Sequence, residues 1–504
     1  MLQIIPCLAL AFASPANPAT LLPPAVLQEP DARNYNFAKQ AAGEALATQM
    51  EELAVWCQKN KAYLERNRAY EVVILYKPDH KLARKLLGYN FDRKSKEWTR
   101  RGNYKAPKNS KPPEALEALE KRELIFAAYT ESLIAAIEAN IDTLPKRIRL
   151  KDLQPLLEER PDDARVRTLM GQVRLFEDGK PDEWVLPTTK LALERRKSLR
   201  DFRRSNRKSA PAPKSTNVQD VEADMGFKWN VKLDNGTVRL LSSGSSSESE
   251  RVLRDLHMLW RYLPEVMGGK LTVGDGTTIY LLTNPGAKDK FGAESSLLSD
   301  TNRNYWAKTV GTFLGASTSM ALYNSNQPGR LDMACRLTVS LYLWQEYGIS
   351  ADRGWVTEGF GLYLVNQMQG TRLSYTLNSD EYEDKSEENF ASRIKEPDSD
   401  WLELARRMLR DKKAPGLQFV LGKDVGAMAP RDLIIANALA AYLVEAHGPK
   451  VVESILRRIG GTWVDGELIK PKDSAARVLE QVLEARLPEI YTLLEDWLTE
   501  MKRR

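Results

Sequence analysis

Apolar positions recur at three- and four-residue spacing from Ala32 to about Leu75, through Phe37, Ala41, Ala45, Met50, Leu53, Trp56 and Leu64. That period stacks side chains on one face of an α-helix, so this segment is expected to be helical. A second long helical pattern runs from Pro113 to Asn140. Beyond residue 224 the period changes. Phe227 to Leu241 alternates about Asp234-Asn235-Gly236, and Asn-Gly between alternating runs marks a β-hairpin because both residues tolerate positive φ. Ser242 to Glu250 is a Ser-rich loop that supplies an N-cap, and Val252, Leu256, Leu259, Trp260 and Leu263 then form one face of an amphipathic helix. Thr278 to Thr283 (TIYLLT) reads as a buried strand, and a strand pair is expected across Thr309 to Tyr323. Helical periods dominate from Leu331 to Arg504, including Asp432 to His447 and a last Leu- and Trp-rich helix ending near Trp497.

One pattern occurs twice in the N-terminal half. Lys77 to Gly88 (KPDHKLARKLLG) is echoed by Arg160 to Gly171 (RPDDARVRTLMG). Each copy runs Pro-Asp, then Arg (Arg84 or Arg167), two apolar residues and Gly (Gly88 or Gly171), and continues through a charged stretch to Trp98 or Trp184. Pro opens a helix at its first position, acidic residues suit the first turn, and Gly closes it. The stretch up to each Trp is expected to be a short hairpin. The Pro-Asp-x-x-x-x-Arg helix start resembles the second helix of tetratricopeptide-like repeats.

Length, charge and cysteines narrow the picture further. With 504 residues the chain is long for one core, so two or three domains are expected. The net charge of +6 is concentrated between Lys190 and Lys214, where ten basic residues face only Glu194 and Asp201. The run ends in Ser-Ala-Pro-Ala-Pro-Lys-Ser and is read as a helix tail passing into a basic interdomain linker, with polyanion contact as the alternative. Leu2 to Ala13 is an apolar run ending in Ala11-Phe12-Ala13. It resembles a secretory signal segment and points to a secreted or periplasmic protein; a disordered tail or a misassigned start codon would give the same string. Cys7 would leave with that segment. Cys57 and Cys335 then permit at most one disulfide, and two buried thiols are expected. The three histidines, His80, His257 and His447, stand far apart, and each is expected to be structural. No transmembrane span is expected.

The chemistry-bearing segment is Ala334 to Tyr363 (ACRLTVSLYLWQEYGISADRGWVTEGFGLY). Trp355-Val356-Thr357-Glu358-Gly359 resembles the W-x-x-E-G element that carries the third zinc ligand of gluzincin, or peptidase MA-like, metallopeptidases. At the usual distance upstream, where such enzymes carry HExxH, this chain has Cys335-Arg336-Leu337-Thr338-Val339. Zinc hydrolysis needs three protein ligands and an open position for water, with a glutamate to take its proton. The resemblance therefore puts Cys335 and Val339 at the two imidazole positions, Arg336 at the base position and Glu358 at the third ligand. Arg336 stays protonated and cannot act as a general base. We expect it to pair with Glu358 and to replace the charge of the metal; a cap or ion pair within the Glu358 helix is the simpler alternative.

Taken together, the expected fold class is α+β. Residues 1–16 are a candidate signal peptide and 17–32 a flexible lead. Residues 33–189 form a helical repeat-like domain and 190–223 a basic linker. Residues 224–504 form a peptidase MA-like domain, with a small mixed β-sheet and a mostly helical C-terminal part. The resemblance implies a catalytically inactive pseudo-peptidase, with no metal, no cofactor and no catalytic residue, that works by binding a protein or peptide. The alternatives are a polyanion-binding scaffold using Lys190 to Lys214 and a hydrolase with a non-zinc mechanism. For the last, no G-x-S-x-G motif is present, and Cys335 with His257 would have to meet in space.

Overall fold

The computed structural model describes residues 33–102, 104–109, 112–141, 143–144, 146–176, 179, 181–223, 227–270, 277–314, 319–323, 327–370, 385–396, 398–465, 467–471 and 473–502. The expected signal peptide and flexible lead lie outside these residues. The fold is α+β. Among the described residues the chain divides into two compact units between Trp184 and Val185.

The first unit is built on three long helices, Arg33–Lys59, Tyr63–Tyr76 and Pro112–Glu138. Gly43, Leu46, Ala47, Met50, Leu53, Ala54 and Cys57 are buried along the first of them, at the spacing that gives a helix one apolar stripe. Between and after these helices the echoed pattern produces the same small unit twice. Each copy is a short helix, Lys81–Leu86 or Ala164–Leu169, followed by a two-stranded sheet. The strands are Tyr89–Asp92 with Glu97–Arg100 in one copy, and Val173–Leu175 with Glu183–Val185 in the other.

The recurring residues hold corresponding places. His80 caps the first helix by accepting from the Ala83 N–H, and Asp163 caps the second by accepting from Arg165 and Val166. The Arg84 side chain donates to the Pro78 carbonyl at 2.8 Å, and Arg167 donates to that of Pro161 at 2.9 Å. Gly88 and Gly171 turn the chain at φ +82° and +78°, a region that costs residues with a Cβ.

The second unit holds a six-stranded mixed sheet. Its spatial order is Lys214–Ser215, Val231–Asp234, Arg239–Ser242, Thr278–Leu282, Met320–Tyr323 and Gly311–Phe313. Strand 278–282 runs parallel to both its neighbours, and the remaining pairs are antiparallel. The Asn-Gly hairpin, the Ser245-capped helix Ser246–Met267 and the strand pair before Tyr323 all appear where the sequence pattern placed them.

Strand 278–282 is buried along its whole length because both faces of the sheet are covered. Leu240, Ile279, Leu281, Met320 and Leu322 enter one core; Leu241, Tyr280, Leu282 and Ala321 enter another, with Phe291 and Trp306. The helices Pro285–Glu294 and Asp300–Lys308 that carry those two aromatic residues were missed by sequence pattern. So was the late hairpin Thr462–Val464 with Glu467–Ile469. These elements are short, and their apolar residues are too few to show a period.

The basic linker is a correction. Residues 187–208 form the helix Pro187–Lys208, which belongs to the second unit. Pro187 stands at its first turn, and Ala192 and Leu199 bury one face seven residues apart. Arg196 ion-pairs with the buried Glu445 at 2.6 Å and Arg207 with the buried Asp255 at 2.7 Å. Charge density suggested a solvated spacer, but these acidic partners lie roughly 50 and 250 residues away in sequence and give no local signal.

Candidate functional site

The helix Gln327–Tyr347 carries Cys335, Arg336 and Val339, and the helix Gly354–Gln369 carries Trp355, Glu358 and Gly359. The first helix lies against the sheet edge because Gly311 leaves room for it. A Cβ on Gly311 would come within 3.0 Å of Leu337 and closer still to Met333. Gly348, at φ +60°, turns the chain after the first helix. Its N–H donates to the Trp344 carbonyl, and that of Ile349 donates to Leu343, which closes the helix end.

The second helix is buried on nearly every face. Trp355, Val356, Phe360, Leu362, Leu364 and Val365 are all fully buried. Gly359 permits its closest approach to the helix Pro430–Tyr442: a Cβ there would stand 2.6 Å from the Ala436 carbonyl oxygen. The glycine of the W-x-x-E-G string thus has a packing reason independent of any metal. Gly361 performs a related service, since its Cβ position lies 3.7 Å from Cγ of Arg336. The aliphatic stem of Arg336 therefore passes over this helix on its way to Glu358.

Arg336 and Glu358 form a buried ion pair, Nη2 donating to Oε2, with 8% and 3% of the two residues exposed. The pairing runs between helices, not within the Glu358 helix. Asp332 stands one turn before Arg336 and is fully buried. Burial pushes its carboxyl up to about 7; the Arg336 charge lowers it, and the nearby Glu358 charge raises it. One guanidinium therefore serves the field of two carboxylates. Sequence reasoning missed Asp332, although an acid four residues before an arginine on one helix was a visible signal.

Cys335 and Val339 are core residues, 2% and 0% exposed. Among the described residues no group of three His, Cys, Asp or Glu side chains is placed to hold a metal. The donor chemistry does not fit zinc. Glu358 is engaged by a permanent cation, and an alkyl group stands at position 339. Both Cys57 and Cys335 are buried free thiols.

The histidines have structural surroundings. His80 caps a helix and meets Glu51 at 3.0 Å. His257 is buried and meets Thr237 at 3.2 Å, with its pKa lowered by burial and by Arg261. His447 ends a π-turn, Leu443–His447, packed edge-on against Tyr442, and burial lowers its pKa.

A few residues beyond Tyr442, Glu445 anchors the basic helix through Arg196 and accepts from the Tyr363 hydroxyl at 3.3 Å. Burial raises its pKa, opposed by Arg196. Asn437 is fully buried, and neither polar atom of its amide has a hydrogen-bond partner among the described residues. Comparison with protein-family profiles, curated proteins and solved structures gives no match.

Proposed function

We propose that the second unit is a non-hydrolytic relative of gluzincin metallopeptidases that works by binding a peptide or protein. The observation that carries this reading is the buried Arg336–Glu358 pair. A fixed guanidinium occupies the carboxylate that would ligate zinc in such an enzyme, and it supplies one positive charge without a Lewis-acid centre. Ionised carboxylates are costly to bury, so loss of a cation at this position would select for a replacement charge. The order of elements supports the reading too: a mixed sheet, the Arg336 helix, the Glu358 helix and then a helical C-terminal part.

Reconstruction tests it. The triple substitution Cys335→His, Arg336→Glu and Val339→His writes HExxH above Glu358. If the ancestry is right, the purified variant binds zinc at one equivalent per chain and the unsubstituted protein does not. A folded triple variant that fails to take up zinc, or stoichiometric zinc in the unsubstituted protein, overturns the proposal.

A further inference from the structure

The basic helix Pro187–Lys208 divides its cations into two sets. Arg195 donates to the Glu265 carbonyl, Arg196 pairs with Glu445, Arg203 bonds Gln367, and Arg207 pairs with Asp255. These four fasten the helix to the unit. Arg200, Arg204 and Lys208 do not take part in that fastening, and all three are exposed. They lie at successive i, i+4 positions, so their Cα atoms fall in one row about 6 Å apart along the axis. The row borders a groove of about 330 Å³, lined by Arg200, Arg203, Arg204, Arg207, Lys208, Met258, Gln367 and Met368. Its size falls within the range of small-ligand pockets.

We propose that this groove binds a small ligand through a compact polyphosphate group. Among the described residues Arg200, Arg204 and Lys208 have no acidic partner, and three clustered cations ask for a compact ligand carrying several negative charges, which a polyphosphate provides. Arginine forks dominate the lining, and several N–H donors on one plane suit phosphate oxygens better than a single ammonium does. The already-bonded Arg203 and Arg207 hold fixed positions on the groove wall, which lowers the ordering cost of binding. The two methionines give an adaptable apolar surface for the remainder of the ligand. The inference narrows the polyanion alternative to three turns of one helix, and it stands whether or not the pseudo-peptidase reading does.

Calorimetric titration of the full chain with inorganic tripolyphosphate tests the proposal, alongside ATP, adenosine and a single-stranded oligonucleotide. We expect saturable binding of tripolyphosphate at one site, comparable or tighter binding of ATP, and none of adenosine. The double variant Arg200→Ala/Arg204→Ala should weaken binding by about tenfold or more while leaving thermal unfolding unchanged. Arg93→Ala/Lys94→Ala, on the exposed hairpin of the first unit, should leave binding unchanged and controls for bulk charge. Absent binding, equal losses in the two double variants, or an oligonucleotide bound about tenfold tighter than tripolyphosphate overturns the assignment.

Discussion

Among the described residues, the buried arginine–glutamate pairs at the sheet and between the helices of the second unit differ in what surrounds them. At the sheet, Arg239 pairs with Glu222, which is fully buried. Glu222 also accepts from the Tyr280 hydroxyl at 2.8 Å and the Gln219 N–H at 2.7 Å, while Arg239 donates to the Asn217 carbonyl at 2.6 Å. Burial works against the Glu222 charge, yet the bonds from Arg239, Gln219 and Tyr280 hold its pKa below the ordinary value. Between the helices, Arg336 meets Glu358 with a second acid, Asp332, one turn away and pushed up to about 7. The sheet pair is satisfied at neutral pH. In the helical cluster two buried acids, Glu358 and Asp332, share the field of Arg336, and burial outweighs that field at Asp332.

The two clusters respond to pH with opposite sign. The depressed pKa of Glu222 gives stability that is present above about 4.5 and is lost as pH falls through its folded value. For Asp332 the folded pKa is raised from 3.8 to about 7, so the folded state binds more protons across that window. The stability Asp332 contributes is greatest below about 4, declines as pH rises toward 7 and is level above it.

The largest expected effect is removal of a cation. Arg239→Met should cost about 3–5 kcal/mol in urea unfolding at pH 8 by leaving Glu222 buried and unneutralised. Arg336→Met should cost a similar amount at pH 8 but clearly less at pH 5, where Asp332 is protonated. Equal losses at both pH values would erase the contrast between the clusters.

Next comes Asp332→Asn, whose amide matches the protonated acid. It should be near neutral at pH 4 and stabilising by a few kcal/mol at pH 8. A variant less stable than the parent at pH 8 would show that the Asp332 charge supports the fold.

Gly359→Ala tests the helix contact that brings Glu358 into place. Its Cβ meets the Ala436 carbonyl, so a loss of about 1–3 kcal/mol in thermal unfolding is expected. Tyr280→Phe removes one donor from Glu222 and should cost about 1 kcal/mol, with an upward shift of the acid-unfolding midpoint. The smallest effect belongs to Asn437→Leu. Among the described residues its amide has no partner to lose, so stability should change by less than about 1 kcal/mol in either direction. A large loss there would mean that the amide is bonded in solution.

Local physics made much of the fold legible. Asn235-Gly236 announced its hairpin, the Ser-rich run from 242 to 250 the helix start that follows, and the two repeated strings their matching helix–hairpin units, although Pro78 and Pro161 precede those helices instead of opening them. In each, the signal and the structure lie within a few residues of one another. The site was half legible. Positions 336 and 358 stood out through the resemblance of Trp355 to Gly359 to a gluzincin W-x-x-E-G element, and their pairing followed from the cost of burying an acid without a cation. Asp332 carried a visible i, i+4 signal toward Arg336, but its raised pKa comes from burial, which that spacing does not reveal. The charge run from Lys190 to Lys214 was read as a linker because Glu445 and Asp255 are distant along the chain.

By itself, then, the sequence determined the local elements, the duplication and the residue types available for chemistry, because turn, cap and period preferences act over a single turn or strand. The tertiary structure alone decided which charges are buried, which arginines fasten a helix and which stay exposed. Those outcomes depend on desolvation and on partners that only folding brings within a few ångströms.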